Sequence, residues 1–290
     1  MQIVKDFTDY QILAMQNGQK LEDWHGVILS RPDPQVIWED KQNISKWSQA
    51  AAVYKRSNTG GGAWQINKKI PASWMVSYHD LTFNLKLMGF KHTGLFPEQA
   101  YNWNYLQNKI KSSNRKDIKV LNLFAYTGAA TVACLKAGAS VVHVDASKGM
   151  IDWAKENVKI NHLEDKEVHF LVDDCLKFVQ REIRRGHKYD GIIMDPPSFG
   201  RGSNGEVWDV NKDLFPLASL CTELLSDKPL FFIINSYTTG LSLTVLSNIL
   251  KLTVNQKCPG NILADELGLP MVDSDLVLPC GEFARWEKED

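Results

Sequence analysis

The chain has 290 residues, enough for one large domain or a standard domain with a smaller companion. Its composition, 44% hydrophobic and 23% charged, is that of an ordinary globular protein, and a formal net charge of -1 argues against a uniformly basic nucleic-acid-coating protein. The charge is uneven, however: residues 1–119 carry 16 Lys and Arg against 10 Asp and Glu, and residues 120–290 carry 17 against 24.

The start, MQIVKDFTDYQ, lacks the apolar core of a signal peptide. No uninterrupted apolar run approaches the ~20 residues that span a bilayer. Cys134, Cys175, Cys221, Cys258 and Cys280 are widely spaced with no C-x-x-C pair. That excludes the common zinc and thioredoxin patterns and suggests reduced thiols. A cytoplasmic protein with no metal and no membrane contact is expected.

Before residue 115 the chain is rich in aromatics, turns and short alternating runs. Six of its nine tryptophans lie there: Trp24, Trp38, Trp47, Trp64, Trp74 and Trp103. Gly26–Leu29, Ala50–Arg56, Ala63–Ile66, Trp74–Tyr78 and Thr82–Leu87 read as strands, separated by turns at Arg31-Pro32-Asp33-Pro34 and Asn58-Thr59-Gly60-Gly61-Gly62. A small β-rich unit of this kind needs large side chains to build its core, so the tryptophans read as packing. The polar stretch Lys109–Lys119 reads as a connector.

From residue 118 the texture changes to strand–helix alternation. Strands are expected over Ile118–Ala125, Ser140–Asp145, Glu167–Asp173, Tyr189–Asp195 and Pro229–Ser236, with one or two more over Asp275–Trp286. Helices are expected over Ala129–Ala137, Lys148–His162, Leu176–Arg185, Asp213–Leu225 and Leu241–Val254. This is an α/β pattern, a mostly parallel sheet with helices on both faces. The expected division is a β-rich N-terminal domain over 1–108 and an α/β domain over 109–290.

In open parallel sheets ligands bind beyond the carboxyl ends of the strands. After the first strand comes Asn122-Leu123-Phe124-Ala125-Tyr126-Thr127-Gly128-Ala129-Ala130, whose small residues let a ligand approach the backbone and open a helix. Only one glycine is present, so a dinucleotide pyrophosphate is poorly served. Asp145 ends the second strand, 17 positions beyond Gly128, where a carboxylate can accept ribose hydroxyls; a helix N-cap is the alternative, with Ser147 also available for it. Asp173 and Asp174 end the third, and one of them can accept an amino hydrogen of adenine. Together these ends describe a nucleoside without phosphates, the shape of S-adenosylmethionine. The fourth strand ends in Asp195-Pro196-Pro197-Ser198-Phe199. Its proline carbonyls are acceptors in a turn that cannot continue a helix. With Asp195 they make an acceptor-rich corner for a planar N–H group, with Phe199 to stack on it.

The series "NLFAYTG", "VDAS", "DD" and "DPPSF" resembles the class I S-adenosylmethionine-dependent methyltransferases, and looks most like the bacterial large-subunit ribosomal RNA methyltransferases. The resemblance implies a Rossmann-like methyltransferase sheet and, as cofactor, S-adenosyl-L-methionine. It implies cofactor contacts from Phe96, Gln99, Asn122, Phe124, Ala125, Tyr126, Thr127, Gly128, Asp145, Ala146, Ser147, Asp174, Cys175 and Asp195, and catalytic roles for Asp195, Pro196, Pro197 and Phe199. Phe90–Gln99, "FKHTGLFPEQ", is similar to a stretch preceding the catalytic domain in related enzymes and resembles a flap over the cofactor. One departure bears on the chemistry. Cytosine-C5 enzymes attack with a cysteine, and in the similar branch that thiol follows the fifth strand; here Asn235-Ser236-Tyr237 stands there. The expected activity is therefore methylation of a base nitrogen of RNA, with ribosomal RNA as partner. A protein or small-molecule acceptor, or a cofactor-binding RNA-interaction protein without turnover, are the alternatives.

Overall fold

The computed structural model describes residues 1–57, 61–202 and 205–289; the first three positions of the turn expected over 58–62 lie outside them. The chain divides into two units, Met1–Tyr101 with Leu267–Cys280 and Asn102–Glu266 with Gly281–Asp290.

The first unit contains β1 (Gln2–Ile3), β2 (Tyr10–Gln16), β3 (Gln19–Trp24), β4 (Val27–Pro32), β5 (Ala52–Arg56), β6 (Gly62–Ile66), β7 (Trp74–Tyr78) and β8 (Leu81–Leu85). β2 to β6 form one sheet in chain order, and β7 and β8 form a hairpin. The β2–β3 turn, Asn17-Gly18, and the β3–β4 turn, His25-Gly26, both place two successive residues at positive φ. Those angles match the twist of a two-residue hairpin. β4 to β8 correspond to the five strands expected here, whereas β2 and β3 went unread. β3 is QKLEDW, and its charges hide the alternation although Glu22 is fully buried. Tyr10 packs edge-on to Trp24 at 4.4 Å between ring centroids, and Phe7 lies 4.9 Å from Tyr78. No tryptophan is exposed among the described residues, in keeping with a packing role.

The second unit holds α1 (Ala100–Ser112, its first two residues belonging to the first unit), β9 (Lys119–Leu123), α2 (Ala129–Lys136), β10 (Ser140–Asp145), α3 (Lys148–Ile160), β11 (Val168–Val172), α4 (Cys175–Arg185) and β12 (Gly191–Met194). After these come β13 (Phe199–Arg201), β14 (Val207–Asp209), α5 (Val210–Thr222), β15 (Phe231–Ser236), α6 (Leu243–Leu252), α7 (Val254–Lys257), β16 (Gly260–Pro270) and β17 (Val277–Lys288). The last two strands run on into the first unit, where β1 pairs with Leu267 and Gly268. The sheet order is β16-β17-β15-β12-β9-β10-β11. β15, β12, β9, β10 and β11 are parallel, and β17 runs antiparallel to β15. The chain leaves β9 toward β10 and β11 and returns to β12 on the other side, so the switch point lies between β9 and β12.

Leu121, Leu123, Ile192, Met194, Phe232, Ile234, Ala284 and Trp286 build the core against α4, α5 and α6, whose Phe178, Leu217 and Leu246 are buried with them. α1 extends to Ser112, into the stretch read as a connector. The helix read as Leu241–Val254 is interrupted at Thr253, where φ and ψ are -115 and -96. The β13–β14 hairpin and β16 were not read from the sequence. No helix among the described residues is long and apolar enough to cross a membrane.

Candidate functional site

The register brings the carboxyl ends of the parallel strands to one edge. Leu123 pairs with Val144 on one side and Met194 on the other, and Asp145 pairs with Val172. The loops that follow, 124–128, 145–147, 173–175 and 195–199, therefore share that edge.

The 124–128 loop is tightly prescribed. Phe124, Tyr126 and Gly128 have φ of 53, 52 and 84, and two side-chain-bearing residues in the left-handed region must be held there by their surroundings. The Phe124 amide donates to Cys175 Sγ at 3.4 Å, the Tyr126 amide to Asp145 Oδ2 at 2.8 Å, and Asn157 Nδ2 to the Thr127 carbonyl at 2.8 Å. Ala125 N–H donates to the Val144 carbonyl at 3.1 Å. A Cβ on Gly128 would meet Ala154 Cβ at 2.9 Å, so the glycine serves both the backbone angle and close packing on α3. Beneath the loop, Asn122 Nδ2 donates to Thr131 Oγ1 at 3.0 Å, and Thr131 in turn meets His143 Nδ1 at 2.9 Å. A hydroxyl that accepts from Asn122 still has its own proton and a second lone pair for the contact with Nδ1. Burial pushes the His143 pKa down to about 3, partly offset by the Tyr126 backbone, so the ring is neutral.

Asp145 spends one oxygen on the Tyr126 amide and the other, at 2.8 Å, on the Ser147 amide. A carboxylate offers about four acceptor positions, so two remain. Burial raises its pKa, against the lowering effect of those two amides. Ser147 occupies the N-cap of α3 without a capping side-chain bond, and Ala146 and Ser147 are exposed. Asp174 caps α4, its Oδ1 accepting from the Lys177 amide at 2.9 Å, which leaves its second oxygen able to accept from a ligand. Asp173 pairs with Arg181.

Across the switch point, the Asp195 amide donates to the Leu123 carbonyl at 3.4 Å, which extends the β9–β12 pairing to the start of the turn. Pro196 is buried, Pro197 is exposed, and the Phe199 ring is 56% exposed. Trp208 braces this turn: its Nε1 donates to the Pro197 carbonyl at 2.7 Å, and its ring lies 4.9 Å from that of Phe124. The Ser198 and Thr238 hydroxyls meet at 2.7 Å, tying the β12 turn to the segment after β15. Asn235 accepts from Asn102 Nδ2 at 3.0 Å.

Phe96 and Gln99 belong to the first unit, where the Phe96 ring lies 5.4 Å from that of His92 and Gln99 is buried. Cys175 and Cys221 are buried thiols whose pKa values burial pushes up. No group of three or more His, Cys, Asp or Glu suited to a metal occurs among the described residues.

The arrangement fits a phosphate-free nucleoside: a single-glycine loop with fixed amides, one carboxylate with spare acceptors, and a second strand-end acid. Trp208, Thr131, His143 and Asn157 were missed in the sequence. The signal for the last three was polar residues at positions whose period places them inside, His143 within the strand SVVHVD and Asn157 on the buried face of α3 with Trp153, Ala154 and Val158.

Residues 52–246 match the S-adenosylmethionine-dependent methyltransferase family. A SAM-dependent methyltransferase from Agrobacterium tumefaciens is 34% identical with a TM-score of 0.94, covering 99% of this chain and 93% of that one. A Streptococcus mutans structure assigned to the same enzyme class shares the fold, with a TM-score of 0.75, 21% identity and coverage of 98% and 76%. Ribosomal RNA large subunit methyltransferase K/L of Shewanella sp. (strain MR-4) is 37% identical over 147 residues, 50% of this chain and 20% of that relative. The chain thus spans about a fifth of the length of the curated relatives it matches.

Proposed function

The chain belongs to the S-adenosylmethionine-dependent methyltransferase family, and we propose that it methylates a base nitrogen of ribosomal RNA without a cysteine nucleophile. The cofactor, when bound, supplies an electrophilic methyl group on its sulfonium. The work left to the protein is to hold two partners in line and exclude water.

In this reading the β9, β10 and β11 ends hold the nucleoside. Asp145 uses its two remaining acceptor positions on the ribose hydroxyls, and Asp174 its uncapped oxygen on the adenine amino group. Phe124, Ala125, Tyr126, Thr127, Gly128, Ala146, Ser147 and Cys175 form the walls, with Asn122 keeping the loop in shape from below. Residues 1–108 recognise the substrate, and 109–290 form the catalytic domain. Asp195 and the proline carbonyls accept N–H from the acceptor base while Phe199 stacks on it. The observation that carries this reading is the placement of the Asp195–Phe199 turn directly across the switch point from the 124–128 loop, joined to it by the Asp195–Leu123 bond.

A base nitrogen brings its own lone pair, whereas an aromatic carbon needs a nucleophile added beside it. The buried, high-pKa thiols of Cys175 and Cys221 and the thiol-free segment Asn235-Ser236-Tyr237 favour nitrogen. The name of the Shewanella relative and the basic excess of the first 119 residues favour ribosomal RNA. Mass spectrometry of RNA nucleosides from a deletion strain and its parent tests the assignment. Loss of one N-methylated nucleoside from ribosomal RNA is expected; an unchanged profile would redirect the reading to a protein or small-molecule acceptor. RNA containing 5-fluorocytosine should form no stable covalent adduct, and an adduct lost on replacing Cys221 or Cys280 would overturn the nitrogen assignment.

A further inference from the structure

One face of the first-unit sheet carries an unusual set of cations. Lys20 pairs directly with Arg31 across β3 and β4, and Glu22 with Leu29, so all four share a face. Leu29 pairs with Ala52 in β5, and alternation along β5 brings Tyr54 and Arg56 to that same face. The segment after β8 lies across it. Trp64 Nε1 donates to the Met88 carbonyl at 2.9 Å and to the Phe90 carbonyl at 3.2 Å, and Arg31 Nη1 donates to the Lys91 carbonyl at 3.2 Å.

Most of these charges are already matched. Arg31 grips Glu22 through Nε at 2.5 Å and Nη2 at 2.7 Å, and Tyr10 donates to the same carboxylate at 2.8 Å. Lys20 lies 3.2 Å from Asp33 and 3.5 Å from Glu22. Lys91 is different. It is half-buried, and among the described residues its ammonium reaches only the Pro32 carbonyl, at 3.4 Å. Burial lowers its pKa and so do Lys20, Arg31 and Arg56, while Asp33 acts the other way. His92 beside it is kept neutral by the same field: burial, Arg31, Lys91 and Lys20 push its pKa down to about 4. Arg56 is exposed and has no ion-pair or hydrogen-bond partner for its guanidinium among the described residues. A half-buried ammonium in a net positive neighbourhood is stabilised by an anion brought in from outside. Phe90, next in the chain, leaves its ring 62% exposed while its carbonyl is pinned by Trp64.

We propose that Lys91 and Arg56 form a phosphate subsite that takes a backbone phosphate of a single-stranded RNA segment, with the neighbouring base stacking on Phe90. The pairing of a cationic groove with an aromatic platform is what unpaired RNA requires. The proposal rests on the RNA reading above and adds to it the place where the strand is held.

The test is binding of the full chain to a single-stranded RNA oligonucleotide over a range of salt, beside calorimetry with S-adenosylhomocysteine. One lost phosphate contact should flatten the slope of log K against log salt by about 0.7. Lys91→Met keeps the packed stem and is expected to weaken RNA binding severalfold, uniformly across sequences, with that flatter slope. Arg56→Gln, on an exposed side chain, should do the same, Phe90→Ala should weaken binding without changing the slope, and Lys91→Arg should restore it. S-adenosylhomocysteine affinity should stay constant in Arg56→Gln, and circular dichroism with denaturant unfolding reports that each variant is folded. Wild-type RNA binding with slope and affinity unchanged in Lys91→Met and Arg56→Gln would overturn the subsite alone. Absence of RNA binding by the wild-type chain would overturn the RNA reading and the subsite with it.

Discussion

The two units differ in the polar groups they bury beneath their candidate sites. The first buries full charges: Glu22 is inaccessible, clamped by Arg31 and Tyr10 with Lys20 beside it. Beneath its strand-end loops the second buries neutral groups, the Asn122–Thr131–His143 chain and the Asn157 amide on the Thr127 carbonyl; its own buried carboxylates belong elsewhere, Glu182 in α4 against Tyr189 and His187, and Asp190 before β12 against Arg115. Buried charge is costly to leave unpaired but gives little net stability over a hydrophobic packing. A neutral network tolerates burial and holds a loop in an unfavourable backbone shape. The difference follows from what each unit must present: a cationic face in one, and a fixed set of acceptors in the other.

The contrast can be broken from the first unit. Glu22→Gln leaves Arg31 buried without its counter-charge and should cost about 3–5 kcal/mol in stability, the range for breaking a buried pair, measured by denaturant unfolding followed through the first unit's tryptophans. The matching pH dependence has a definite sign. Burial alone would raise the Glu22 pKa, but Arg31 and Lys20 overcome it and hold it at about 2 instead of 4.5. Its contribution is therefore complete above pH 4.5 and is lost as the pH falls through about 2. Acid denaturation of the wild type should show this loss and Glu22→Gln should lack it.

In the second unit Thr131→Val removes one hydroxyl shared by Asn122 and His143. Leaving buried partners unsatisfied costs about 1–3 kcal/mol, less than Glu22→Gln and with no comparable acid dependence. It should also loosen the 124–128 loop and weaken S-adenosylhomocysteine binding. An effect as large as that of Glu22→Gln would show that the two interiors are not the different devices described. The smallest change expected is Asp145→Asn. It keeps the side chain's shape but replaces one acceptor oxygen with an NH2 group that can accept from neither the Tyr126 nor the Ser147 amide, so cofactor affinity should fall about tenfold, ~1.4 kcal/mol, with a stability loss of about 1 kcal/mol.

The second unit was the more legible in the sequence, for a physical reason. Its central strands β9, β12 and β15 are buried on both faces and read as apolar runs, so they stand out, and Asp145, Asp174 and Asp195 fall at strand ends as expected. The first unit spreads its core over short strands bearing charges, and a buried Glu22 looks like a surface residue until Arg31 is seen beside it. Asn17-Gly18 was the one clear signal for the hairpin that went unread. Trp208 could not have been found by pattern, because its value comes from touching Pro197 and Phe124, 11 and 84 positions away in the chain.

The central claim is that the ends of β9 to β11 serve the cofactor and the turn after β12 serves the acceptor. Asp195→Ala separates them most directly, with S-adenosylhomocysteine affinity by calorimetry and methyl transfer to ribosomal RNA measured on one preparation. The account predicts that turnover is abolished while cofactor affinity stays within a few-fold of wild type. Parallel loss of affinity and turnover would make Asp195 a cofactor anchor or a structural residue and would contradict the division.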